Sequence, residues 1–324
     1  MTAPLMTFQK KEFPTMTRNR HTRRFVLSAG AAAGVFWPTA ALPAPAQPRQ
    51  SEGGIGGTGI VGILTEFGSL IVAGRRVQMD GLTRYTDGFG DIGASDVVIG
   101  DSLTIEASGP ADNLTARRVH VTHPLVGEVT AVGDAGRSLT ILGTTVRLAR
   151  PNRLARVGQR VAVSGLWRGN RVEASGLSPA RDNRDLVAGT VDRAGFGVTV
   201  SGVRVRGTGS QQLEDGGFGS IVGRYDPESG LMRSERAGTA RFTGAAGPLK
   251  RLAVEGYLEP TRTAPGYRIA GLGHSFARNI DLSPYAQERT LFLGNYTGLF
   301  AAREALVLPE DPTARARILG AFAR

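Results

Sequence analysis

The chain has no cysteine, only 6 % aromatic residues and, past residue 46, a single lysine, Lys250. The missing cysteines exclude a disulfide framework, a thiolate metal site, a thiol nucleophile and a lipid-modified cysteine. Scarce aromatics argue against the stacked ring platforms that bind single-stranded nucleic acid. With so little lysine, arginine carries the positive charge. Its side chains are scattered along the sequence, and a genome bias accounts for that as well as an anion-binding role does. Glycine is plentiful instead, at 45 of 324 residues with 17 prolines, so the chain is expected to be rich in turns and poor in long helices.

Residues 1–46 read as an export signal. The stretch RNRHTRRFVLSAGAAAGVFWPTAALPAPAQ has a basic lead, an uncharged segment and a small-residue cleavage site ending at Ala46. Arg23 and Arg24, with Leu27 beyond them, fit a twin-arginine signal read by the bacterial twin-arginine export machinery, although Val26 stands where that pattern has Phe and Phe25 comes one place early. The expected destination is periplasmic or secreted, with no stable membrane anchor after cleavage. Without this segment the net charge falls from +11 to about +6, which is only mildly basic. A Gly/Pro-rich linker is expected over residues 47–58.

Beyond it the sequence repeats. GILTEFG (62–68), GEVTAVG (127–133) and GTVDRAG (189–195) each open a unit. SLIVAGRRV, SLTILGTTV and GVTVSGVRV follow, read as second strands with one internal glycine each, at Gly74, Gly143 and Gly202. A glycine-led hairpin then closes each unit, as in VGQRVAVSGLWRGNRVEASGL. The segment 251–273 is read as one more copy of that hairpin, with Gly256 matched to Gly165. Period-two alternation, short strands and glycines at the bends predict an all-β fold of tandem small antiparallel β-barrels of OB-like type. The expected units are 59–122, 123–181 and 182–240, with a partial fourth over 241–280. The tail, 281–324, has Asp311 as a helix cap and Pro312 at the first helical position, so a short C-terminal helix with Ala314, Ile318, Leu319 and Phe322 on one face is predicted.

The opening GGIGGTG, the run EFGSLIVAGRRV and the recurring VGQRVAVSGLWRGNRVEAS resemble a family of exported bacterial proteins known only as a domain of unknown function. The resemblance covers roughly residues 53–273 and implies tandem β units behind a signal peptide. It implies no catalytic or binding residue.

Candidate chemistry is thin. GTGIVG (57–62) matches the dinucleotide fingerprint G-x-G-x-x-G, with Asp80 as its acid, but no strand is expected before it and no helix after it. It is read as the join of the linker to the first unit, so Gly57 and Gly59 are expected to be dispensable for folding. His120 and His123 fall on opposite faces of a strand, a poor metal pair, and His274-Ser275 lacks a nucleophile elbow. Asp80, Asp87, Asp91 and Asp96 sit among glycines in an inserted loop, the residue types a calcium site needs, although Asp-Gly pairs are also ordinary turn chemistry. Trp167 and Arg168, placed in an exposed turn, are the best ligand-contact pair. The sequence therefore predicts a non-enzymatic binding or scaffold module needing no cofactor, with an unknown envelope protein or a glycan as partner and nucleic acid disfavoured. A calcium-dependent binder or an enzyme built on the Asp-rich loop is the alternative.

Overall fold

Gly62, Gly127, Gly189 and Gly256 occupy one equivalent position in four successive β units, seen in a computed structural model that describes residues 56–322 except 196, 262–265, 275, 278 and 279. Arg23, Arg24, Ala46 and nearly all of the expected linker lie outside the described residues. In the first unit β1 (Gly57–Glu66), β2 (Leu70–Val72) and β3 (Arg75–Gln78) precede the inserted β4 (Arg84–Thr86), then β5 (Ser102–Ser108) and β6 (Leu114–Val121). The second unit holds β7 (Leu125–Gly133), β8 (Ser138–Ile141), β9 (Thr144–Leu148), β10 (Arg160–Arg168) and β11 (Arg171–Pro179). The third holds β12 (Asp185–Ala194), β13 (Gly197–Val200), β14 (Val203–Gly207), β15 (Phe218–Asp226) and β16 (Leu231–Gly238).

Five pairings close the second unit into a small barrel: β7·β8, β8·β9, a parallel β9·β11, β11·β10 and β10·β7. The third unit closes through the equivalent five, β14·β16 being its parallel pair. The same cycle recurs in the first unit, with β4 laid parallel along β6. Inward residues of each unit fill its interior, as a five-stranded barrel requires.

Each expected second strand is in fact two strands. Ala73-Gly74, Leu142-Gly143 and Ser201-Gly202 all have positive φ, the geometry of a two-residue hairpin turn whose twist matches the strands it joins. Ala, Leu and Ser in left-handed backbone are unusual, and this hid the turns. A bulge recurs in every fourth strand. At Gly165, Gly223 and Gly294 a Cβ would stand 2.5, 2.0 and 2.0 Å from a carbonyl oxygen of the partner strand, so these three bulges leave no room for a side chain, whereas the bulge of the first unit carries Ala107.

The fourth unit does not stop at residue 280. It consists of β17 (Leu249–Gly256), β18 (Leu258–Pro260), β19 (Tyr267–Ile269), β20 (Phe276–Ala277), β21 (Thr290–Tyr296) and β22 (Phe300–Val307). β17 pairs with β21, β21 with β22, and β22 with β20 in parallel, so the tail supplies the last two strands. Gly256 faces Thr290, four residues before the bulge glycine Gly294, as Gly127 faces Val161 before Gly165. It is therefore a first-strand residue, and Gly294 is the true equivalent of Gly165.

The described residues form one compact body in which the units join in pairs. An antiparallel contact of β7 with β12 unites the second and third units in one sheet. A parallel pairing of β1 with β17, from Thr58↔Arg251 to Val61↔Val254, unites the first and fourth. Gly57 and Gly59 belong to this join. A Cβ on Gly57 would approach the Ala246 carbonyl to 2.8 Å, and one on Gly59 would meet Leu252 at 2.5 Å, so both are packing glycines rather than linker. Helix α1 (Pro312–Phe322) then returns to the first unit, its start capped by the Ala314 amide on Asp311 Oδ1 at 2.7 Å. Its buried face is Arg315 and Leu319, while Ile318 and Phe322 are exposed. Among the described residues no helix is long and apolar enough to cross a membrane.

Candidate functional site

Trp167 is not an exposed platform. It ends strand β10, is 4 % exposed, and its indole N–H donates to the Ala188 carbonyl at 2.8 Å. Gly271 packs on its ring face so closely that a Cβ there would lie 2.3 Å away. The ring cements the second, third and fourth units because burying so large a surface with its one donor satisfied is its most stable disposition. Arg168 does reach the surface, but it stacks 4.9 Å above Tyr257, donates to the Gln287 carbonyl at 2.7 Å and lies 3.7 Å from Glu310.

The four aspartates of the inserted loop are tied individually. Asp80 accepts the Leu82 amide at 2.9 Å and pairs with Arg117. Asp87 accepts the Phe89 and Gly90 amides at 2.7 and 3.0 Å, and Asp91 pairs with Arg84 at 3.5 Å. Asp96 accepts the Gly93 amide at 2.8 Å and pairs with Arg181. These are turn closures with arginine partners, and among the described residues no three His, Asp or Glu side chains gather as a metal shell.

The histidines are likewise committed. His120 Nδ1 meets Thr86 Oγ1 at 2.9 Å, and burial pushes its pKa down to about 3. His123 Nδ1 lies 3.3 Å from the Val163 carbonyl, with burial lowering its pKa too. Beside it Ser164 donates to Asp101 Oδ1 at 2.9 Å. A serine, a histidine and an aspartate thus meet, but the aspartate holds the serine instead of orienting the imidazole, the reverse of what nucleophile activation needs.

Two buried charges that the sequence reading passed over lock the units together. Glu106 is fully buried in β5 and accepts the Thr243 amide and hydroxyl at 2.8 Å each, the Gly244 amide at 2.7 Å and the Ala245 amide at 2.9 Å, with Arg118 at 3.2 Å. It clasps the segment entering the fourth unit. Arg241, in that same segment, donates to Leu272 O and Thr104 Oγ1 at 2.9 Å each and to Gly271 O, and stacks 4.3 Å above Phe218. Burial, with the like charge of Arg118, pulls its pKa down to about 9, so it stays a cation at neutral pH. Long-range pairs of this kind leave no periodic trace in a sequence.

Beyond Phe218 the packing opens. A cleft of about 900 Å³ lies between the third and fourth units, walled by Asp192 and Arg193 of β12, Glu214 and Asp215 of the loop before β15, Tyr267 and Arg268 of β19, and His274. Arg268 holds Asp192 through two bonds of 2.7 and 2.9 Å and also binds Glu259. Burial works against its charge, but these two carboxylates outweigh it and raise its pKa. Asp215 accepts the Arg193 amide at 2.8 Å. The Glu214 carboxylate has no partner among the described residues, although its backbone carbonyl accepts the Gly217 amide at 3.0 Å. His274 Nδ1 meets the Tyr296 hydroxyl at 2.9 Å, while its buried Nε2 has no hydrogen bond among the described residues, and burial holds its pKa down at about 4. Ser275 lies outside the described residues.

Fold and cleft define a tandem β-barrel protein with an open polar cleft at a barrel junction. A family model described as a domain of unknown function (DUF5666) matches residues 58–120, which is the first unit from β1 to the end of β6. No curated protein matches the sequence.

Proposed function

We propose that this chain is an exported protein of the bacterial envelope whose barrels form a non-enzymatic scaffold and whose cleft between the third and fourth units binds a glycan. The carrying observation is the cleft lining: half-buried Tyr267 beside Arg268, with the unpartnered Glu214 across from them. A sugar offers an apolar face for an aromatic ring and hydroxyls for carboxylates and guanidinium groups, so this combination suits it better than it suits a hydrocarbon. Export rests on the Arg23-Arg24 signal and the Ala46 site. The non-catalytic reading rests on the wiring of Ser164, Asp101 and His123, which leaves the serine inactive. Leu299, 43 % exposed at the rim, favours an envelope protein as the second reading. An array of bacterial envelope oligosaccharides, probed with wild type, Glu214→Gln and Tyr267→Ala, tests the first. Retention of a glycan by wild type and loss of at least tenfold in both variants supports it, whereas no retention, or equal retention by all three, rejects it.

A further inference from the structure

On the seam between the first and fourth units, three arginines line one cavity of about 140 Å³: Arg75 on β3, Arg251 on β17 and Arg303 on β22. None of the three binds a carboxylate or a carbonyl among the described residues. The fold assembles them. Parallel pairing sets Thr58 beside Arg251, and Asn295 faces Arg251 from the other side, so a hydroxyl-bearing and an amide-bearing residue share the cavity lining with it. On β22 the bulge pairs Glu304 with Leu293 and Ala302 with Gly294, leaving Arg303 as the extra residue, and a bulge re-aims the side chain it carries.

Charge there is unbalanced. Glu304 is the one carboxylate in the lining against three guanidinium groups. Arg75 is half-buried, and burial with the like charge of Arg251 lowers its pKa against the opposing pull of Glu304. Unpaired guanidinium groups held side by side invite an anion, which they bind by charge-assisted hydrogen bonds.

A second cavity of about 580 Å³ shares Leu293, Arg303 and Glu304 with the first and continues along Tyr285, Leu291, Leu306 and Phe322. Phe322 is 45 % exposed although it lies on the helix that covers this side. A cationic pocket thus opens directly onto a mostly apolar channel, in whose lining Asp281 is the one charged residue beyond Arg303 and Glu304. We infer that this seam binds an anionic amphiphile, its phosphate or carboxylate head at Arg75, Arg251 and Arg303 and its hydrocarbon tail along the Leu291–Phe322 channel. The site shares no residue with the glycan cleft, so either can fail without the other.

The test uses the full chain and dodecyl phosphate below its micellar concentration, followed by calorimetry. Saturable one-to-one binding is expected, at least tenfold tighter than that of inorganic phosphate or of dodecyl maltoside, which separately supply the head charge and the tail. Arg251 and Arg303 are exposed, so an R251A/R303A double variant should keep its thermal midpoint and lose affinity at least tenfold. Glu304→Gln should gain affinity. Flotation with phosphatidylglycerol vesicles distinguishes the sources: co-flotation competed away by dodecyl phosphate assigns the amphiphile to a membrane, and dodecyl phosphate binding without co-flotation assigns it to the free pool. No binding of dodecyl phosphate, equal binding by the double variant, or equal binding of the neutral detergent overturns the inference.

Discussion

Phe218 stands between two regions that treat their polar groups differently. On one side it lies under Arg241, whose donors are taken by the fourth unit's carbonyls and by Thr104, and Glu106 nearby accepts three amides and a hydroxyl from a single segment. On its other side lies the cleft, where the Glu214 carboxylate and the Nε2 of His274 are without hydrogen bonds among the described residues. Burial of polar groups is tolerated only when each has a partner, so the first region is a structural lock. An exposed carboxylate such as Glu214, left free at an open junction, costs little stability and is available to a ligand. Removing a side chain should therefore damage folding in the lock and binding in the cleft.

The largest effect is expected in the lock. Glu106→Ala would remove the acceptor of three amides in the 243–245 segment and leave the largely buried Arg118 without its carboxylate, and should cost about 3 kcal/mol in chemical denaturation. Arg241→Met should cost clearly less than Arg241→Ala, because the buried guanidinium has no carboxylate partner among the described residues and the apolar chain keeps the packing on Phe218. Equal losses would place the lock in its hydrogen bonds alone. Next comes Gly223→Ala, whose Cβ would collide with the Arg233 carbonyl, with about 2–3 kcal/mol expected from the shift in thermal midpoint.

Acid should weaken both regions. His120 and His274 have folded pKa values of about 3 and 4, below the unfolded value near 6.5, so the unfolded chain takes up protons first as the pH falls. Stability is then full above about pH 6.5 and declines toward pH 4, by about 2 kcal/mol per histidine at pH 5. A flat denaturation midpoint between pH 7 and 5 would contradict this. The smallest effect belongs to the cleft: Glu214→Gln should change stability by less than about 0.5 kcal/mol, as an exposed and unpartnered side chain allows.

The sequence showed the repeat and the barrel type because glycines recur at fixed places in alternating strands. It misled where one residue type serves two ends. Gly256 looked like the bulge glycine Gly165 because both follow an Ala-Val pair, and only strand pairing reveals that the bulge of the fourth unit is Gly294. The turns at Ala73, Leu142 and Ser201 were missed because their first residues are not the Asn, Asp or Gly that usually mark them. Trp167 stood beside a turn and yet points into a three-unit contact, and the aspartates of the loop matched calcium chemistry in composition while being spent on turns and arginines. The cleft was invisible for a simpler reason. Its walls come from residues 192 to 299, no two clusters of which form a local motif.

The most direct measurement is a paired titration of the cleft and the lock with any oligosaccharide retained on the envelope array. Tyr267→Ala should lose binding at least tenfold with an unchanged thermal midpoint, while Arg241→Met should lower the midpoint and keep the affinity of its folded fraction. Binding that survives in Tyr267→Ala, or that disappears in Arg241→Met while the chain remains folded, would contradict the division between lock and cleft.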